Sequence, residues 1–345
     1  MLGGGVFVTQ NKTLPGSYIN FVSAVTTNSA LGERGTVAIA LALNKSAGTV
    51  IEITKADFIS NCKELLGVEY ADAKVAPLRE IFCNATKVYV YDLGEDNTVA
   101  DVINAFEPYE FNVICAYTDT AEDISAYITG VKNWRDEMGK KCQLVVYNTD
   151  KVDHEGVINV VSTVSNQGAD AYVLTAWVAG AEAGCKVNES CTNKLYNGEY
   201  TIVTDKTQTQ LEDCIKNGQI AFHLVYGDVR LLEDINTLTT TNADKGEDFK
   251  SNQTIRVTDQ IANDIAKLFN TKYLGRIPNN ASGRVSLWAD IVAHHRELEK
   301  IGAIDTFDAT LLTVEQGANK KSVVVNDVIT VVNSMAQLYM TVVVQ

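Results

Sequence analysis

Residues 254–305, TIRVTDQIANDIAKLFNTKYLGRIPNNASGRVSLWADIVAHHRELEKIGAID, carry the strongest pattern in the chain. Ile261, Ile265, Leu268 and Phe269 recur at i, i+4, i+7 and i+8, one stripe of an amphipathic α-helix, with Asp259, Asn263, Asp264 and Lys267 off it. From Tyr273 to Gly283 the chain collects Gly275, Pro278, the Asn279-Asn280 pair and Gly283, which a regular element does not tolerate, so a loop is expected. Leu287, Ile291, His294, Leu298 and Ile301 then repeat at helical spacing, with Lys300 at the negative end and Gly302 just beyond it. Two helices joined by a turn-rich loop follow.

Beyond them, Thr310–Val314 and Val323–Val332 read as strands, and the chain closes on Leu338-Tyr-Met-Thr-Val-Val-Val-Gln345. Leu338, Met340, Val342 and Val344 share one face of that last segment. Burying four such side chains contributes roughly 6–12 kcal/mol, and ordering eight backbones costs about 8–16 kcal/mol. The segment therefore needs the ladder of a ready sheet edge, in its own subunit or in a neighbour's.

Toward the N-terminus the pattern changes period. Val37–Leu43, Val50–Ile53, Val88–Tyr91, Val113–Ala116, Leu144–Tyr147 and Val157–Val161 read as short apolar strands. Between them lie helical stretches at Lys55–Leu66, capped by Thr54, at Val99–Phe106 and at Ala121–Glu137, with an all-apolar helix over Ala169–Gly184. The alternation predicts an α/β fold, a parallel or mixed sheet flanked by helices. Extended segments at Gly198–Val203, Ile220–Tyr226, Val229–Leu232 and Ile235–Thr241, around a helix at Gln208–Lys216, lead into the polar linker Asn242–Asp248. The N-terminus holds two more extended segments, Val6-Phe-Val8 and Tyr18–Val25, which fit an arm or a frayed end equally. The division expected is 1–20, a body over 21–248 with sub-boundaries near 86 and 193, a C-terminal domain over 249–330, and 331–345.

A net charge of −14 leaves no basic surface for nucleic acid. The apolar run near Ala169–Ala181 is too short to span a bilayer, and MLGGGVFVTQ has no secretory signal pattern. Seven cysteines without a C-x-x-C pair read as buried thiols of a cytoplasm-made protein, with Cys185 and Cys191 near enough to compare.

Chemistry-bearing constellations are sparse. The turn after Val88–Tyr91 is Asp92-Leu-Gly-Glu-Asp96, acidic and with one glycine, unlike a phosphate cradle, so no cofactor is expected. His294 and His295 are adjacent and point about 100° apart, which does not chelate one ion; His294 fits the core stripe and His295 an edge near Trp288. His154 fits a cap and His223 a strand, while Glu212-Asp213, Glu233-Asp234 and Glu247-Asp248 fit solvated faces. Nothing reads as an activated nucleophile.

The segments D-Q-I-A-N-D-I-A-K-L-F, Y-L-G-R-I-P-N-N, W-A-D-I-V-A-H-H-R-E-L and I-G-A-I, with the final L-Y-M-T-V strand and Leu14-Pro-Gly-Ser-Tyr-Ile-Asn-Phe21, resemble contractile-tail sheath proteins. The likeness is greatest to the short sheaths of Gram-positive defective prophages and R-type bacteriocins, and it is strong at the C-terminal end. It implies a non-enzymatic subunit that polymerises helically around an inner tube, made in the bacterial cytoplasm and released on lysis within a phage-tail-like particle. Its implied partners are copies of itself, the tube protein, and baseplate and terminator proteins, with neither nucleic acid nor membrane insertion. It also implies terminal arms that add strands to neighbouring sheets, assigned to Val6, Phe7, Val8 and Tyr18 and to Leu338, Tyr339, Met340, Val342, Val343 and Val344. Arg284, Arg296 and Lys300, off the apolar stripe of the second helix, are the expected tube-facing residues. The competing reading is an α/β enzyme or small-ligand protein whose terminal strand pairs internally.

Overall fold

The computed structural model describes residues 31–43, 45–150 and 152–344. In chain order the elements are β1 (Thr36–Leu41), β2 (Val50–Thr54), α1 (Lys55–Leu66), α2 (Ala76–Ile81), β3 (Lys87–Asp92), α3 (Val99–Phe106) and β4 (Val113–Cys115). Next come α4 (Ala121–Asp136), β5 (Gln143–Tyr147), β6 (Val157–Val160), α5 (Val173–Gly184), α6 (Gln208–Lys216), β7 (Gln219–Ile220), β8 (Phe222–Val225) and β9 (Asp228–Leu231). Two long helices, α7 (Asn252–Leu268) and α8 (Ala281–Lys300), precede β10 (Thr313–Gln316) and β11 (Val323–Asn326).

Seven strands form one sheet in the order β2-β3-β1-β4-β5-β6-β7, parallel except where β2 meets β3. Alternation along each strand sends side chains to two cores. Val37, Ile39 and Val90 pack with Phe58, Leu78, Leu174 and Trp177 of α1, α2 and α5, while Ala38, Tyr89 and Ile114 face Phe106, Tyr127 and Trp134 of α3 and α4. The α/β expectation is thus met as a three-layer sandwich, each apolar sheet face covered by helices. Thr54 caps α1, its hydroxyl accepting the Asp57 N–H at 3.2 Å.

Helix α5 lies against the end of α2 closely enough that a Cβ on Gly180 would sit 2.4 Å from the Ile81 carbonyl oxygen, and one on Gly184 2.1 Å from that of Asn84. Neither neighbour is a flexible side chain, so the backbones themselves would have to separate. Gly180→Ala is expected to destabilise the fold by about 1–3 kcal/mol in urea unfolding; a midpoint equal to the parent's would show that the two helices can part freely.

Several expected strands are shorter or absent. Gly198–Val203 touches Val164 through a single bridge at Ile202, because this loop is held by side chains instead: Glu80 accepts the Tyr196 hydroxyl and the Glu199 N–H, both at 2.8 Å. Ile235–Thr241 makes one bridge, Ile235 to Ser251, and the Thr239 and Thr240 N–H groups go to the Asp153 carboxylate at 2.7 and 2.9 Å. Those backbone donors lower the Asp153 pKa to about 2. The strand expected over Ile220–Tyr226 splits, β7 closing the large sheet and β8 starting a separate hairpin with β9, since the Phe222 N–H turns to the Ser162 hydroxyl at 2.9 Å. The strand expected over Val323–Val332 ends at Asn326, and Val331 returns as an isolated bridge to Ile304.

Candidate assembly interface

The second unit is rooted in the first. Helix α7 begins inside the protein, with Asn252, Gln253, Thr254 and Arg256 all buried; off its apolar stripe Asp259 is buried and Asn263 and Asp264 half-buried, while Lys267 is exposed. Asn252 donates to the Ile235 carbonyl at 2.8 Å and accepts from Gln143, at the start of β5, at 2.9 Å. Arg135 at the end of α4 forks onto Asp259 at 2.6 and 2.9 Å, and Asn263 donates to the Lys141 carbonyl at 2.8 Å. Arg256 donates to Glu182 Oε2 at 2.6 Å and Asp234 Oδ2 at 3.1 Å, all three side chains essentially excluded from solvent. Asp234 therefore leaves the solvated acidic pair that its sequence suggests.

Burial, with Asp234 beside it, raises the Glu182 pKa well above its ordinary value. Burial would do the same to Asp234, but Arg256 and the Cys191 N–H hold it down. One acid is thus kept neutral while the other carries the charge that Arg256 matches. Cys185 and Cys191 flank this cluster as buried free thiols, and Arg34 donates to the last carbonyls of α5, Glu182 and Cys185, at 3.2 and 3.1 Å.

Among the described residues two groups have metal-ligand composition, and both hold partners within the protein. Glu182, Cys191 and Asp234 surround the Arg256 guanidinium. In the Asp136, His154, Glu155 group, His154 Nδ1 accepts the Gly156 N–H at 3.0 Å, so Nε2 carries the proton and turns it to Asp136 at 3.3 Å. The turn after β1 is likewise filled: Asp92 at the end of β3 accepts the Leu43, Lys45 and Ser46 N–H groups at 3.2, 2.8 and 2.6 Å. A cavity of about 450 Å³ is lined by Leu31, Arg34, Val187 and Ile301, its Lys186 paired with Glu189 at 2.7 Å.

The C-terminal segment is different. Gln253, itself buried, grips the chain like a strand partner, its amide donating to the Val332 carbonyl at 3.1 Å and accepting the Ser334 N–H at 2.9 Å. Among the described residues this is the last backbone anchor. From Met335 the segment extends into solvent, and Leu338, Tyr339, Met340, Val342, Val343 and Val344 are each 69–90% exposed. In the same part of the chain β10 and β11 form a two-stranded antiparallel sheet, separate from the large one, with Val324, Val325 and Val328 exposed.

Of the expected tube-facing residues, Arg296 and Lys300 are exposed, paired within α8 to Glu299 at 2.5 Å and Glu297 at 3.4 Å. Arg284 is half-buried and donates to the Asn279 side chain at 3.0 Å. It lies about 120° round the helix from Arg296, so the three do not share a face. His295 is not an edge residue: it is fully buried, with Nε2 2.7 Å from Asp327. Val6, Phe7, Val8 and Tyr18 lie outside the described residues.

The site is thus an α/β sandwich whose turn after β1 is held by Asp92, with an exposed apolar C-terminal segment. Consistent with that class, the chain belongs to the phage tail sheath family: residues 95–237 match the phage tail sheath protein central domain and 244–345 the phage tail sheath C-terminal domain. It is 28% identical over 224 residues to the tail sheath protein of Clostridium phage phiCD119, covering 64% of this chain and 62% of that one. The chain spans 36% and 47% of the length of two further relatives, both from Bacillus subtilis. The crystal structure of the sheath tail protein from Desulfitobacterium hafniense superposes with a TM-score of 0.75 at 25% identity, over 92% of this chain and all of that one. The anti-feeding prophage helical sheath in its contracted state shares the fold, with a TM-score of 0.71 at 14% identity over 96% and 99% of the two chains.

Proposed function

We propose that this chain is the repeating subunit of a contractile tail sheath, a non-enzymatic protein that polymerises helically around an inner tube and contracts to drive it through an envelope. The observation that carries the reading is the exposed apolar segment Met335–Val344, in a subunit that also has a separate two-stranded sheet. Two strands alone are marginal, and an added strand pairs the open edge while burying one apolar face. Its ten residues reach about 33 Å when extended, more than the radius of gyration of about 20 Å expected for a compact chain of this length. The segment therefore reaches an adjoining subunit's β10–β11 edge without spanning a whole body.

In this reading residues 1–20 and 331–345 are the arms, with Val6, Phe7, Val8 and Tyr18 contributing the N-terminal strand, 21–248 the body and 249–330 the C-terminal domain. The arms keep neighbours linked while bodies slide and rotate; the extended sheath is kinetically trapped, and contraction proceeds as larger body contacts form. Its partners are other copies, the tube, the baseplate and the terminator, within a particle made in the bacterial cytoplasm and released on lysis. Arg296 and Lys300, on one face of α8, are retained as tube-facing, with Arg284 contributing from the loop side.

Negative-stain microscopy of the purified chain at rising concentration tests this. Hollow striated cylinders are expected, and Arg296→Glu with Lys300→Glu should form them yet fail to enclose tubes. A monodisperse subunit at every concentration sinks the sheath reading; unimpaired tube enclosure by the double variant sinks only the tube-facing assignment.

A further inference from the structure

Adjacent histidines on α8 each hold a different end of the described chain. His294 Nε2 lies 3.0 Å from Asp264 Oδ2, and the same carboxylate accepts the Gly32 N–H at 3.1 and 3.2 Å. Gln260 completes that grip, donating to the Gly32 carbonyl at 3.2 Å and to Asp264 at 2.9 Å. His295 Nε2 lies 2.7 Å from Asp327, which opens the segment leading from β11 to the C-terminal anchor at 331–334. The two rings meet Nδ1 to Nδ1 at 3.4 Å.

Hydrogen positions follow from the partners. His295 Nδ1 is 3.0 Å from the Ile291 carbonyl, which only accepts, so that nitrogen donates. Nε2, facing a carboxylate, donates as well. The His295 Nδ1–H, directed at the Ile291 carbonyl, is shared more weakly with His294 Nδ1 at 3.4 Å, and His294 Nε2 donates to Asp264. The two rings, in contact with each other, thus lie between two carboxylates, one holding Gly32 near the start of the described chain and one opening its C-terminal segment. Removing either carboxylate frees the ring it holds and loosens the ring-to-ring contact on which the other side depends.

We propose that His294 and His295 form a latch that couples the Gly32 anchor to the Asp327 anchor, so that loosening one loosens the other. Its use in a sheath, passing tension from one arm to the other, rests on the reading above; the latch itself is a property of the single subunit. Amide hydrogen exchange on unassembled subunits measures it without polymer. Asp327→Asn should speed exchange of the Gly32 N–H at least about fivefold, and Asp264→Asn should do the same to the Val332 and Asp305 N–H groups, which bond to Ala303 and Thr330. The Leu144 N–H, bonded to Gly156 in the large sheet, should keep its parent rate in both. In a His294→Gln background, where the Nδ1 acceptor is gone, Asp327→Asn should leave Gly32 unmoved. Faster exchange confined to the mutated side, or equal transmission in the His294→Gln background, overturns the latch. Neither outcome bears on whether cylinders form.

Discussion

Ending the chain at Ser334 is expected to abolish polymerisation while leaving the subunit as stable as the parent. The large apolar side chains beyond that point contribute little to the isolated fold, being 69–102% exposed, and the last anchor, Gln253 to Ser334, is retained. A thermal midpoint within about 1 °C of the parent is expected, since removing exposed residues leaves the buried area unchanged. Assembly has much more to lose. Burying one face of Leu338, Met340, Val342 and Val344 against a neighbour roughly offsets the cost of ordering the segment, and the ladder hydrogen bonds to a sheet edge tip the balance, so losing both should raise the concentration needed for cylinders at least about a hundredfold. Cylinders forming at the parent concentration would remove the arm from the mechanism, and a truncated chain that unfolds would mean the segment packs on its own subunit.

The second large effect concerns the joint between the two units. Arg256→Ala leaves Glu182 and Asp234 buried without their cation, and removing one partner of a buried ionic group typically costs about 3–5 kcal/mol. The thermal midpoint should fall on the order of 10 °C, with the C-terminal helices losing exchange protection first. Glu182→Gln should behave differently, because its carboxyl is already held neutral by burial and by Asp234. A carboxyl whose folded-state pKa is raised contributes stability that is complete below its unfolded value, near 4.5, and is lost as pH rises through the folded value. Glu182→Gln should therefore match the parent near pH 5 and exceed it at alkaline pH, flattening the decline. Equal losses in the two variants would show that the cluster acts as one charged unit instead.

The elements that were legible are those in which local chemistry and burial agree. Thr54 ahead of Asp57 marks the start of α1, and Gln208–Lys216 appears with the bounds its pattern suggests. The apolar runs of β3, β4 and β5 suit only strands covered on both faces. The turn at Asp92 could be recognised as unfit for phosphate from its charge alone, although its actual task, holding the amides after β1, depends on where Leu43–Ser46 lie. Helix α2 carries too few residues to show a period, and its Pro77 reads as readily as a break.

The polar face of α7 was the largest surprise, for a physical reason. Asp259, Asn263 and Asp264 have the composition of a solvated face, and a hydrophilic side chain looks the same in sequence whether water or a distant guanidinium satisfies it. Their partners lie more than a hundred residues away at Arg135 and Lys141, or on the next helix at His294. Asp234 was hidden in the same way, because Glu182 and Arg256 come from two separate helices.

Side-chain periodicity, caps and the turn-rich loop were thus sufficient for the α/β class, the paired C-terminal helices and the strand-like final segment, since each depends on neighbours within a few turns of chain. Which polar groups are buried, which acid stays neutral, and whether the last strand finds an edge within its own subunit depended on packing between remote segments. Folding leaves that segment exposed and forms β10 and β11 as a separate two-stranded sheet, because pairing is a property of two surfaces in space and alternation along one segment describes only one of them.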